Sequence, residues 1–197
     1  MTPESTLGSI DLFWIPLGAG GSGFVRLVGK LYERVTAWRD RREPLAVFHT
    51  ALQVRIPEGR FVVEMMLPSP GGDISSRGVV LEGAVASVWL ARLPPFRYEV
   101  RRWHDGILLD AEPGVIGPQR LSDDPDQAKR LLEWTDCIPG LVWGRDQLGL
   151  GEMWNSNSVV SWLLAKAGLP VETIEAPTGA RAPGWDAGIV GARQGLA

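Results

Sequence analysis

Apolar residues run almost unbroken through 10–17 (IDLFWIPL), then recur in near alternation over 46–56 and 60–67, with Pro57-Glu58-Gly59 between those two runs. The first run predicts a buried strand and the next two a β-hairpin, because period-two patterning bounded by Pro and Gly is the signature of paired strands. Gly18-Ala19-Gly20-Gly21-Ser22-Gly23 leads from the first strand into a helix predicted from about Phe24 to Arg39. Three further strands are predicted over 84–91, 95–103 and 107–110, the last two joined by a turn at His104-Asp105-Gly106. Ser122 reads as the N-cap of a helix ending near Cys137, with Pro125 tolerated in its first turn.

The pattern changes sharply at Trp154–Gly168 (WNSNSVVSWLLAKAG). Asn and Ser accept the orphan amide protons of a first helical turn, so this helix is expected to begin at Asn155 or Ser156, and Gly168 followed by Pro170 stops it. Val159, Val160 and Leu163 share one face with Ser156, while Trp162, Leu164 and Ala167 widen the apolar surface beyond a single stripe. A helix apolar on most sides belongs in the centre of a fold. Beyond it the sequence predicts a short strand-like segment at Val171–Ile174 and an irregular Gly/Pro/Ala-rich tail over 175–197, anchored by Trp185. There are no internal repeats. The sum is one α+β domain spanning 1–197, a mainly antiparallel sheet packed against a central helix.

A hydroxyl at a helix N-terminus is where a nucleophile would sit, and Ser156 is such a hydroxyl. Upstream lie a His in a strand (Phe48-His49-Thr50-Ala51-Leu52) and a Glu in the next strand (Val62-Val63-Glu64-Met65). This order, His, then Glu, then Asn155-Ser156-Asn157-Ser158-Val159, resembles the circularly permuted papain-like superfamily. That group includes permuted NlpC-type peptidases and amidases and lecithin:retinol acyltransferase-like enzymes, in which a His precedes an Asn-Cys segment that opens a helix. The resemblance covers about residues 45 to 168 in order and spacing.

The resemblance implies that Ser156 stands where the nucleophilic Cys would be, that His49 is the general base and that Glu64 orients it. It implies a hydrolase or acyltransferase acting on an amide, ester or thioester. The Ser156 amide and an Asn155 or Asn157 side chain would hold the oxyanion, with Trp154 and Arg145 near the substrate. A thiol becomes a thiolate readily, whereas a serine hydroxyl needs a base within reach, so the residue at 156 is compatible with a serine nucleophile, a dead site or a replaced Cys. The alternative to an enzyme is a papain-like binding module that retains the cleft without the chemistry.

The hairpin sets one geometric condition. A two-residue turn at Glu58-Gly59 pairs position i with 117 minus i, which sets Glu64 opposite Gln53 and His49 opposite Pro68. The two would share a face but stand four residues apart, about 13 Å along a strand. A different turn, a bulge or another orienting group would then be required.

Composition narrows the remaining choices. The 197 residues are 45% hydrophobic and 22% charged with a net charge of −3, as expected of a globular domain without the basic face that nucleic acid requires. Arg101-Arg102 and Arg39–Arg42 read as solvated clusters. One Cys excludes an intrachain disulfide, and two separated His residues offer no metal-ligand spacing, so neither metal nor cofactor is expected. Gly18-x-Gly20-x-x-Gly23 matches a dinucleotide fingerprint, but the acid expected about 20 residues on is missing and no second βαβ unit follows. Cys137, at a helix C-terminus, is expected to be a buried small hydrophobe. The first ten residues lack a signal-peptide pattern and no run is long enough to span a membrane, so a cytoplasmic protein with a small-molecule, peptide or acyl substrate is the expectation.

Overall fold

In the computed structural model, residues 8–17, 33–68, 77–106, 108 and 114–196 are described. They form a seven-stranded sheet and four helices. The strands are β1 (Ser9–Pro16), β2 (Ala46–Ile56), β3 (Gly59–Met66), β4 (Val79–Ala84), β5 (Arg97–His104), β6 (Ile116–Ser122) and the two-residue β7 (Ala180–Arg181). The helices are α1 (33–39), α2 (Pro125–Trp134), α3 (Ser156–Lys166) and α4 (Trp185–Arg193). Sheet order is β4-β5-β3-β2-β1-β6, antiparallel throughout, and β7 pairs in parallel with the start of β2. The α+β class and the central helix agree with the sequence pattern.

Both faces of the sheet are covered. On one face Ile10, Leu12, Leu52, Val54, Val63, Met65 and Val100 pack against α3 and α2 through Val159, Val160, Leu163, Leu164, Leu131 and Leu132. A smaller cluster of Phe13, Ile15, Ala51, Val62 and Leu108 occupies the other face. That two-sided burial is why β1 reads as a continuous apolar run, with all of Ser9–Ile15 buried. Asp11 in the middle of it is compensated by Arg120 of β6, whose Nε donates to Oδ1 at 2.6 Å.

Several elements differ from the sequence expectation. The hairpin turn is Pro57-Glu58, closed by the Ile56–Gly59 pair with Gly59 at φ 147°, so position i faces 115 minus i. The stretch predicted as a strand over 84–91 ends at Ala84 and continues as two 3-10 turns, Leu90–Arg92 and Pro94–Phe96. Pro94 and Pro95 have no N–H to give a ladder, which favours that outcome. Residues 116–122 add an edge strand that alternation did not reveal, because Pro118 interrupts it and most of its side chains are exposed. Of 107–110, only 108 lies within the described residues, as 18–23 and 24–32 of the predicted Gly-rich loop and helix do not.

Asp124, not Ser122, caps α2, accepting the N–H groups of Asp126 and Gln127. Val171–Thr173 is a 3-10 turn rather than a strand. Cys137 is exposed, not buried, since the helix gives way to a 3-10 turn at Thr135–Cys137 that leaves its side chain outside the core. Arg101 is not a solvated residue either: it is 3% exposed and its Nε donates to Glu99 at 2.8 Å, with Arg77 on the other carboxylate oxygen.

The largest departure is the tail. Residues 185–193 form α4, which lies against α3 closely enough that a Cβ at Gly188 would run into the Ser158 carbonyl oxygen and Ser161 Oγ. Small residues that looked like irregular chain are what this close helix pair requires.

Candidate active site

Ser156 is the first residue of α3, as predicted. Asn155 caps it: its Oδ1 accepts the Asn157 and Ser158 amides while Ser158 Oγ accepts the Asn155 N–H, a reciprocal capping box. The helix start is fixed from outside as well. Trp154 N donates to Arg145 O and Gly144 N donates to Trp154 O, both at 2.9 Å, and residue 143 in turn bridges to Val85. Four side chains of the motif then reach the segment before α4. Asn155 Nδ2 and Asn157 Nδ2 donate to Pro183 O, Ser158 Oγ to Gly184 O and Ser161 Oγ to Trp185 O, at 2.7–2.9 Å. Most of the polarity of this stretch is therefore structural, a seam between α3 and α4.

Ser156 stands apart from that seam. The residue is 5% exposed, and neither its hydroxyl nor its N–H has a partner among the described residues. The amide is one of the orphan donors of the first turn, at the positive end of the helix dipole.

His49 reaches the same region through a break in the sheet. The β2–β3 ladder runs from Ile56–Gly59 to Leu52–Val63 and stops, although both strands continue. Val47 O accepts from Leu17 N on the β1 side, so the Phe48 carbonyl points to the side β3 has left. Asn157 Nδ2 fills that position, donating to Phe48 O at 3.0 Å, while its Oδ1 accepts from Thr50 Oγ1 at 3.0 Å. The residues on both flanks of His49 are thus bonded to the residue after Ser156.

A cavity of about 370 Å³ occupies this break. His49, Asn155, Ser156 and Asn157 line it, together with apolar groups that include Phe48, Leu67, Phe96, Trp143 and Met153. Phe48 and Leu67 belong to the face of the sheet that carries α3, whereas strand alternation assigns His49 to the face of Ile15 and Ala51. No hydrogen bond joins Ser156 to His49, and the imidazole has no hydrogen-bond partner among the described residues. Enclosure by protein pulls its pKa from 6.5 down to about 4, so it is neutral at physiological pH.

The observed register halves the separation that the sequence suggested between His49 and Glu64. Continuing the ladder would set Glu64 opposite Ala51 and His49 opposite Met66, two residues apart and about 7 Å along the strand rather than about 13 Å. Glu64 pairs in register with Arg101 on its other side, and burial lifts its carboxyl to about 7 against the pull of that guanidinium. It does not line the cavity.

Of the other candidates, Asn157 has both amide protons committed to Phe48 O and Pro183 O, so it has none left for an oxyanion; Asn155 Nδ2 has one remaining beyond Pro183 O. Trp154 is 1% exposed within the main core and Arg145 donates to Ala86 O beside a separate surface groove, so neither lines the cavity. The exposed His104 closes the β3–β5 pair, its ring edge-on to Phe61, as its turn position suggested. Sequence reasoning missed Glu152. Its carboxylate accepts the Gly184 N–H at 3.0 Å at the start of α4, and burial together with Asp186 raises its pKa. Among the described residues no group of three His, Cys, Asp or Glu side chains could hold a metal, and no helix is long and apolar enough to cross a membrane.

No protein-family profile, curated protein or solved structure matches the chain.

Proposed function

We propose that the chain is a serine hydrolase or acyltransferase of the permuted papain-like kind, acting on an ester, amide or thioester of an apolar acyl group. The observation that carries this reading is that Ser156, at a helix N-terminus, and His49, uncharged, line one apolar cavity. Ser156 Oγ attacks the carbonyl carbon and His49 accepts its proton. The oxyanion of the tetrahedral intermediate meets the unpartnered Ser156 N–H, and the acyl chain lies among Phe48, Leu67, Phe96 and Trp143. His49 then returns the proton to the leaving group, and water or an acceptor releases the acyl group from Ser156. An imidazole with so low a pKa is a weak base, which favours esters and thioesters over amides because their leaving groups need less help.

A second reading, a binding module that lacks catalysis, draws on two observations: Ser156 and His49 share no hydrogen bond, and Glu64 has Arg101 rather than His49 beside it. A fluorophosphonate probe separates the two. An enzyme is labelled at Ser156 in the folded state, and the His49→Ala variant is labelled at least tenfold more slowly. Labelling at another residue, or none, leaves the binding module.

A further inference from the structure

The loop between β4 and β5 carries four of the exposed large hydrophobic residues within six positions: Val88 is 69% exposed, Trp89 74%, Leu93 54% and Leu90 37%. Neither of its 3-10 turns contributes a buried residue. The exposure does not come from a loose backbone. Leu90 N donates to Ser87 O, Leu93 N to Leu90 O and Phe96 N to Leu93 O at 2.9–3.1 Å, and Arg97 Nε donates to Ala91 O at 2.6 Å. An ordered loop that holds a Trp and three aliphatic side chains in water is a docking element.

The base of this loop is the wall of the cavity. Val85, Ala86, Pro95 and Phe96 line it, so the exposed tip and the apolar interior belong to one continuous stretch of chain. Its charge is one-sided: 85–97 contains Arg92 and Arg97 and no Asp or Glu, although the chain as a whole is acidic. The Arg92 guanidinium sits 5.0 Å over the Trp89 ring, and Arg145 and Asp146 together line a surface groove with Val88 and Trp89. Apolar tips flanked by guanidinium groups suit an interface where hydrocarbon meets anionic headgroups.

We propose that 88–93 docks this protein on an anionic lipid surface, with Val88, Trp89 and Leu93 entering the interface and Arg92 and Arg97 facing headgroups. The docking follows from exposure and charge alone. That the surface also supplies the acyl group to the cavity rests on the reading of Ser156 given above.

Co-sedimentation with phosphatidylglycerol–phosphatidylcholine vesicles tests it, with pure phosphatidylcholine vesicles as the comparison. The full chain is expected to pellet with the anionic vesicles, several-fold less with the neutral ones, and less again as salt is raised. The combined variant Val88→Ser, Trp89→Ser, Leu93→Ser should bind at least about tenfold more weakly with an unchanged melting temperature, since these side chains are outside the core. Failure of the wild type to pellet, or equal pelleting of the variant, overturns the proposal. So does sedimentation equilibrium showing a dimer that the three substitutions dissociate, which would make the loop a contact between copies. Fluorophosphonate labelling of the same samples keeps the two readings apart: a labelled Ser156 without vesicle binding sinks only the docking, and vesicle binding without label sinks only the catalytic assignment.

Discussion

Thr50 donates its hydroxyl to Asn157 Oδ1 at 3.0 Å across 107 positions of chain, and the same Asn157 donates to the carbonyl of Phe48. A helix side chain thereby replaces the strand that leaves β2 after Leu52, and the cavity exists because the replacement is one side chain wide. Removing that side chain strands two buried groups, Thr50 Oγ1 and Phe48 O, each at a cost of about 1–3 kcal/mol, while Pro183 O keeps the Asn155 amide. Asn157→Ala is expected to lower stability by about 2 kcal/mol or more. Asn157→Asp should do no better, because it keeps the acceptor for Thr50 but turns a carboxylate toward two carbonyls. Urea unfolding followed by Trp fluorescence measures both, and a loss below about 0.5 kcal/mol for Asn157→Ala would show that the clamp holds nothing.

Gly188→Ala sets two opposing effects against each other. In an isolated helix Ala is favoured over Gly by about 1 kcal/mol. Here the new methyl falls far inside van der Waals contact with the Ser158 carbonyl oxygen, which cannot move without moving α3, and overpacking of that kind costs about 1–3 kcal/mol, at the upper end for a backbone contact this close and so more than the propensity gain. Net destabilisation is expected, with a lower melting temperature. Gly191→Ala is the control, since its Cβ would meet only side-chain atoms of Leu196, Trp154 and Trp162, at ordinary contact distances of 3.4–3.6 Å. If both variants are stabilised alike, α3 and α4 do not approach as closely as described.

What the sequence made legible, and what it hid, follows from which forces were local. The start of α3 could be read because capping is a contact between neighbours, Asn155 with Asn157 and Ser158. The hairpin was found but its register was off by two, since Pro57-Glu58 and Glu58-Gly59 are both plausible turns and only the cross-strand pairs Leu52–Val63 and Val54–Phe61 decide between them. α4 was hidden because Gly188 and Gly191 lower its intrinsic helix propensity, and the reason for Gly188 is a partner helix distant in sequence. That His49 and Ser156 both border one cavity has no signal in local pattern or periodicity. The break in the sheet that makes room for that cavity has no local signal at all.

Cys137 offers a direct chemical check of one of these differences. An exposed thiol reacts with a disulfide reagent in the native protein, so one equivalent is expected to titrate rapidly without denaturant. Slow reaction until unfolding would mean the thiol is buried after all. Its reactivity also dictates the design of the nucleophile test. Ser156→Cys must be made together with Cys137→Ser, leaving one thiol, at the orphan amides of α3. Because His49 is uncharged, only the helix N-terminus is available to stabilise a thiolate there, against the cost of burial. Alkylation with a midpoint below about 8.5, the value of a free thiol, is the expected result for an activating site. A midpoint above it would assign the position to packing.

His49 and Glu64 should leave opposite marks on stability as a function of pH. The imidazole falls from 6.5 unfolded to about 4 folded, so the unfolded chain binds the extra proton: the contribution is complete above 6.5 and is lost as pH falls toward 4. The carboxyl rises from 4.5 unfolded to about 7 folded, so the folded chain binds the extra proton: the contribution is complete below 4.5 and is lost as pH rises through 7. Each shift corresponds to about 3 kcal/mol at most, and across pH 4.5–6.5 the two slopes oppose each other in the wild type. Glu64→Gln should therefore unmask a stability that climbs with pH over that window and gain relative to wild type above pH 7. His49→Gln should unmask the descending slope. Urea midpoints at closely spaced pH values measure the difference curves, and curves parallel to wild type for either variant would show that its side chain is not held in the environment described here.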